Sequence, residues 1–176
     1  MSVISLVGMP GSGKSTVGRH LARRLELPFA DSDHVIEQQI GCSIRDFFAR
    51  EGEIAFRDLE AAVIAELASG PSGIVATGGG TVLREVNRQN LREAGSVIYL
   101  RSTPDAIWRR VRHDSKRPLL QVADPVAKLR ELHAERDSLY AQAAHFVIDT
   151  GRPSVPALVS KIMMQLELAG LVPPGP

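Results

Sequence analysis

Gly8-Met9-Pro10-Gly11-Ser12-Gly13-Lys14-Ser15 decides how this chain folds. Gly, four residues, then Gly, Lys and Ser is the spacing of a phosphate-binding loop set between a strand and a helix. Both flanks agree. The apolar run Val3 to Val7 leads in, and a helix with Val17, Leu21 and Leu25 at four-residue spacing leads out. Glycines let successive backbone N–H groups converge on phosphate oxygens, which side chains would crowd. The helix N-terminus adds its positive dipole end. Gly11, Ser12 and Gly13 would line the phosphates. Lys14 would bridge the β- and γ-phosphates, Ser15 would ligate magnesium and Thr16 would meet the α-phosphate. A nucleoside triphosphate is therefore the predicted ligand. The plain alternative, a chance glycine-rich turn before a helix, has to match all eight positions and both flanks.

Beyond the loop, short apolar runs alternate with longer helical segments, the pattern of an α/β fold with a mainly parallel sheet. Strands are predicted at residues 3–7, 28–31, 73–76, 96–100 and 146–148, each brief and flanked by Gly, Pro or charge. Helices are predicted at 15–25, 43–51, 53–67, 105–112 and from 125 to about 144. Thr103-Pro104 and Asp124-Pro125 each pair a capping residue with a favoured first-turn residue. Residues 113–124 have no clear period and read either as a lid or as a surface loop.

At 176 residues the chain fits a single compact domain, 1–176, with room for a mobile insertion. Twenty-one Lys plus Arg against twenty Asp plus Glu leave a net charge of +1, so no whole-molecule field gathers polyanions. Nucleic acid is not an expected partner, and any anion site must be local. Cys42 is the single cysteine, which excludes an intrachain disulfide and a multi-cysteine zinc site. The N-terminal apolar stretch is too short for a secretory signal, and no segment approaches the roughly 20 apolar residues of a membrane span. A cytoplasmic monomer that touches no membrane is the expected state.

Several local patterns suggest an acceptor site. Asp31-Ser32-Asp33 ends the second strand, and strand alternation would put both carboxylates on one side; a helix-cap pair reads equally well. Glu53 and Glu60 can both reach Arg57 along a helix and hold its guanidinium for an anion, although a solvated helix face has the same spacing. Thr77-Gly78-Gly79-Gly80 follows the third strand, and three glycines suit a close approach by ligand or backbone better than a simple turn. Ile74-Val75-Ala76 offers no carboxylate where a Walker B strand ends in Asp, which leaves Asp31 as the candidate for the metal. Basic residues gather from Arg101 to Arg117, including Arg109, Arg110, Arg112 and Lys116, and phosphate neutralisation is one use for them.

Taken in order, the phosphate loop, Asp31-Ser32-Asp33, Phe56-Arg57 with Glu60, Gly78-Gly79-Gly80, Arg117-Pro118-Leu119-Leu120, and Arg136 with Leu139-Tyr140 resemble the shikimate kinases over residues 3–152. The resemblance implies a nucleoside monophosphate kinase-like fold with a five-stranded parallel sheet, a substrate-binding region near 32–60 and a lid near 112–124. It implies transfer of the ATP γ-phosphoryl group to the 3-hydroxyl of shikimate, with Mg2+, in the synthesis of chorismate and the aromatic amino acids. Carried over by position, Asp33 would bind the ring hydroxyls and act on the attacking one, with Gly79 and Gly80 as backbone contacts. Arg57 and Arg136 would clamp the carboxylate. Arg117 would meet the phosphates, Arg152 the adenine, and Asp31 the magnesium water shell; from the basic run, Arg110 is a further candidate for the nucleotide. Two departures stand out: Asp137-Ser138 replaces the proline usual before the Leu-Tyr pair, and Asp149-Thr150-Gly151-Arg152 carries one basic residue where the family often has two.

Two competing readings remain at this level. A related small-molecule kinase would take gluconate or a nucleoside monophosphate. A phosphate-loop module that only binds nucleotide would dispense with Asp33, Arg57 and Arg136.

Overall fold

The computed structural model describes residues 2–113, 122–151 and 154–175. Among them, β1 (Val3–Val7), β2 (Phe29–Asp31), β3 (Gly73–Ala76), β4 (Gly95–Arg101) and β5 (Phe146–Asp149) form one parallel sheet in the order β2-β3-β1-β4-β5. β1 is central, with Leu6 in register with Ala76 of β3 and Ile98 of β4. A strand covered on both faces has no solvent side to mark with polar residues, which is why β1 reads as an apolar run.

Helices cover the two faces. On one, α1 (Lys14–Leu25) and α7 (Val155–Leu168) bring Val17, Leu21, Leu158 and Ile162 against Ile4, Leu6, Ile98 and Leu100. On the other, α4 (Glu85–Ala94), α5 (Pro104–Val111) and α6 (Pro125–Ala143) pack Leu91, Ile107, Leu129 and Tyr140 against Val7, Val97 and Tyr99. Each fully buried Leu or Ile contributes about 1.5–3 kcal/mol, so this sheet is the rigid frame that holds the loops at its carboxyl edge. A third apolar cluster joins Ile36 of α2 (Ser32–Ile40) to Phe56 and Val63 of α3 (Ile44–Ala68).

All five expected strands are present, with bounds shifted by a residue at most. The two helices expected at 43–51 and 53–67 form one run kinked at Gly52, whose φ of 85° and ψ of 174° leave helical geometry. Ser43 caps it by accepting from Asp46 N, and Thr103 and Asp124 cap α5 and α6 in the same way. α2, α4 and α7 go beyond the expected helices, α2 starting from the Asp31 cap. α4 buries only Asn87 and Leu91, too thin a stripe to read. α7 carries Leu158, Val159, Ile162, Met163 and Leu166 at a legible helical spacing. No helix among the described residues is long and apolar enough to cross a membrane.

Candidate active site

The loops after β1, β2 and β3 converge at the carboxyl edge of the sheet, where ligands bind in open α/β folds. After β1 the chain turns through Gly11 and Gly13 at φ of 80° and 92°, left-handed values natural to glycine. Gly13 caps α1 without a side-chain hydrogen bond, so no side chain occupies the N–H groups of the first helical turn. Lys14, 8 % exposed, lies along the loop and donates from Nζ to Gly8 O and Met9 O at 2.8 Å each. Arg110 of α5 reaches over the loop, its Nη1 donating to Gly11 O at 3.2 Å. Thr16 is exposed at the mouth.

Of the two readings of the Asp-Ser-Asp stretch, the structure takes the helix cap and not the strand alternation. β2 ends at Asp31, and its carboxylate caps α2 by accepting from Asp33 N and His34 N at 3.0 and 3.3 Å. A helix start, not a pleat, brings the two acids together. Asp31 Oδ2 also accepts from Ser15 Oγ at 2.5 Å, which ties the cap to the phosphate loop. Ser32, which the sequence presents only as a spacer, is buried and accepts from Gly78 N at 3.2 Å. Burial, then the neighbouring Asp31 and Glu60 carboxylates, push the Asp33 pKa up to about 6 against the pull of Lys14.

The three glycines after β3 each answer to a different neighbour. A Cβ on Gly78 would lie 2.6 Å from Asp33 Oδ1, one on Gly79 2.6 Å from Pro10 Cγ, and one on Gly80 inside the Arg57 guanidinium. They are small because acid, phosphate loop and arginine all crowd onto them. Arg57 donates from Nη1 to Glu60 Oε1 at 2.9 Å, with Glu53 at 3.7 Å from its Nε. The Nε atoms of Arg57 and Arg136 are both buried without a hydrogen-bond partner. α6 runs unbroken through Asp137-Ser138, so Arg136 and Tyr140 sit one turn apart, and Asp137 takes the Tyr99 hydroxyl at 2.8 Å.

Two cavities result. One, about 270 Å³, follows the loop past Lys14, Ser15, Thr16 and Asp31. The other, about 570 Å³, has Phe48, Phe56 and Leu132 as apolar walls and Asp33, Arg57, Glu60 and Arg136 as polar groups. Pro10, Asp33, Gly78 and Gly79 line both, so the cavities meet at Asp33. Arg117, Arg152 and most of the lid expected at 112–124 lie outside the described residues. Thr81, which helps to hold Glu60, gave no signal in the sequence; Phe48 and Leu132 are ordinary core residues by their spacing.

The family model for shikimate kinase matches residues 10–167. The chain belongs to the shikimate kinase family. It is 64% identical to a shikimate kinase of Paracidovorax citrulli, over 98% of this chain and 96% of that protein. It is 55% identical to a shikimate kinase of Ralstonia nicotianae, over 99% and 92%. Among solved structures, the shikimate kinase of Acinetobacter baumannii in complex with shikimate superposes with a TM-score of 0.90 at 44% identity, covering 97% of this chain and 94% of that one. Of the shikimate kinase motifs noted in the sequence, the phosphate loop, both aspartates, Arg57 with Glu60, the glycines and Arg136 all border the joined cavities.

Proposed function

We propose that the chain transfers the γ-phosphoryl group of ATP to the 3-hydroxyl of shikimate, giving shikimate 3-phosphate, with the triphosphate along the loop and the acceptor in the larger cavity. The observation that carries this reading is a pair of half-buried arginines, Arg57 and Arg136, that line a cavity meeting the phosphate loop at Asp33, each with a buried Nε–H that makes no hydrogen bond. An unmatched buried donor is unfavourable by itself, and an anionic acceptor group relieves it. A small carboxylated ring alcohol supplies that anion while its hydroxyls face Asp33.

Phosphoryl transfer asks for alignment and charge neutralisation more than for covalent work by the protein. Lys14 exchanges its loop carbonyls for phosphate oxygens, and Arg110 stands over the same loop. Asp33 accepts a hydrogen bond from the attacking hydroxyl; with a pKa near 6 it is ionised at neutral pH and close enough to titration to take the proton. The family pattern assigns Arg117 to the phosphates and Arg152 to the adenine.

The residues present fit magnesium. Ser15 Oγ and the Asp31 carboxylate are hard oxygen donors side by side, and the chain after β3 continues through Ala76 and Thr77 without a carboxylate. Among the described residues there is no cluster of three or more His, Cys, Asp or Glu that could hold a metal alone, which suits an ion shared with phosphate oxygens and water. When bound, the ion adds positive charge across the phosphates.

A coupled ADP-release assay over shikimate, gluconate and nucleoside monophosphates tests the proposal. ADP release that depends on shikimate is expected; release with another acceptor alone, or nucleotide binding with no turnover on any of them, would overturn it.

A further inference from the structure

We propose that the Tyr140 hydroxyl is a positioning group for acceptor binding, one atom that sets both the Gly79–Gly80 peptide and the Arg136 guanidinium; this rests on the acceptor reading of the larger cavity. Tyr140 is fully buried, and its Oη donates to Gly79 O at 2.6 Å, linking α6 to the loop after β3. A trans peptide points its N–H opposite its C=O, so holding the Gly79 carbonyl also fixes the direction of the Gly80 N–H. The loop needs this help. Gly79 and Gly80 have no side chains with which to anchor themselves, because a Cβ at either would strike Pro10 or Arg57.

A phenol that donates its single proton keeps lone pairs for an incoming donor. Arg136, four residues earlier on the same helix face, is placed to supply one. Burial raises the Tyr140 pKa to about 12, and Arg136, by its charge and a hydrogen bond, pulls it back. The hydroxyl thus sits between the backbone that lines one part of the cavity and the arginine that lines another.

The ring is braced independently of the hydroxyl. It packs on Tyr99 with centroids 5.0 Å apart, and the Tyr99 hydroxyl turns away to donate to Asp137. Two buried tyrosines therefore stand together, and only Tyr140 hydrogen-bonds to a residue that lines the cavity. That arrangement separates positioning from mere packing.

The test compares Tyr140→Phe with Tyr99→Phe, each removing one buried hydroxyl and keeping its ring. Tyr140→Phe should raise the shikimate KM about tenfold, the effect of one lost hydrogen bond, while the KM for ATP stays within about twofold. Tyr99→Phe should lower the thermal midpoint without moving the shikimate KM. Tyr140→Phe combined with Arg136→Lys should raise the KM by less than the product of the single effects, because both act on one contact. Unchanged shikimate KM in Tyr140→Phe, equal shifts in the two tyrosine variants, a parallel rise in the ATP KM, or full multiplicativity with Arg136→Lys would each overturn the proposal. A wild-type protein that turns over no shikimate sinks the function reading instead; an active wild type with an unaffected Tyr140→Phe sinks this inference alone.

Discussion

Arg57 donates through Nη1 to Glu60 Oε1 at 2.9 Å, and the carboxylate that receives it is 1 % exposed. Thr81 Oγ1 holds the other oxygen at 3.1 Å, so Glu60 cannot swing and the arginine has a fixed anchor. Removing one partner of such a buried pair is unfavourable by about 3–5 kcal/mol. Glu60→Ala is therefore expected to lose stability of that order in urea unfolding and to weaken shikimate binding with it.

Arg57→Ala should leave nucleotide binding alone and weaken shikimate binding by at least about tenfold, the range for a charge-assisted hydrogen bond. Isothermal calorimetry of the variant with shikimate is the check. A change of less than about twofold would remove Arg57 from the carboxylate clamp.

The raised pKa of Asp33 has two consequences with different signs. As the hydroxyl-facing base it must be ionised, so kcat/KM should fall as pH drops below about 6, and Asp33→Asn should abolish both that limb and most of the turnover. Near-native turnover in the Asn variant would exclude an essential base. For stability the direction is opposite. The folded state keeps a proton between pH 3.8 and about 6 that the unfolded chain has released, so this group's contribution is full below 3.8 and is lost as pH rises through 6. Asp33→Asn should flatten that slope in thermal unfolding measured across the same window.

Gly79→Ala and Gly80→Ala should separate by substrate. The first presses on Pro10 in the phosphate loop, and the second on the Arg57 guanidinium that Glu60 holds. Gly79→Ala is expected to raise the KM for ATP as well as for shikimate. Gly80→Ala should push the guanidinium off Glu60, lower the thermal midpoint and raise the KM for shikimate while leaving the KM for ATP unchanged. Steady-state kinetics with each substrate varied in turn will show whether the two patterns differ; identical patterns would mean that the glycines do not divide the labour in this way.

Asp31→Asn keeps a good helix cap and removes the charge. The thermal midpoint should stay close to wild type while the free Mg2+ needed for half-maximal rate rises severalfold. An unchanged magnesium requirement would place the metal elsewhere.

Much of the fold was legible because its signals are local. The strand, glycine loop and helix from Val3 to Leu25 announce themselves through short-range geometry, and so do the Thr103-Pro104 and Asp124-Pro125 helix starts. Asp31 and Asp33 show the limit. Spacing admits a pleat and a helix cap equally there; the structure takes the cap, because Asp31 finds the N–H groups of Asp33 and His34 and the Ser15 hydroxyl. α4 was silent because a helix that buries one Leu and one Asn has almost no apolar period.

Residue order alone determined that a triphosphate loop exists and that its companions follow the shikimate kinase series, since those features depend on identity and spacing within a few residues. The tertiary structure alone decided that Gly78, Gly79 and Gly80 are crowded by Asp33, Pro10 and Arg57, that Thr81 secures Glu60, and that Tyr140 reaches Gly79. These contacts join segments far apart in the chain, from Pro10 to Tyr140. Which distant atoms come within hydrogen-bonding distance is set by how helices pack on the sheet, and no local spacing encodes it.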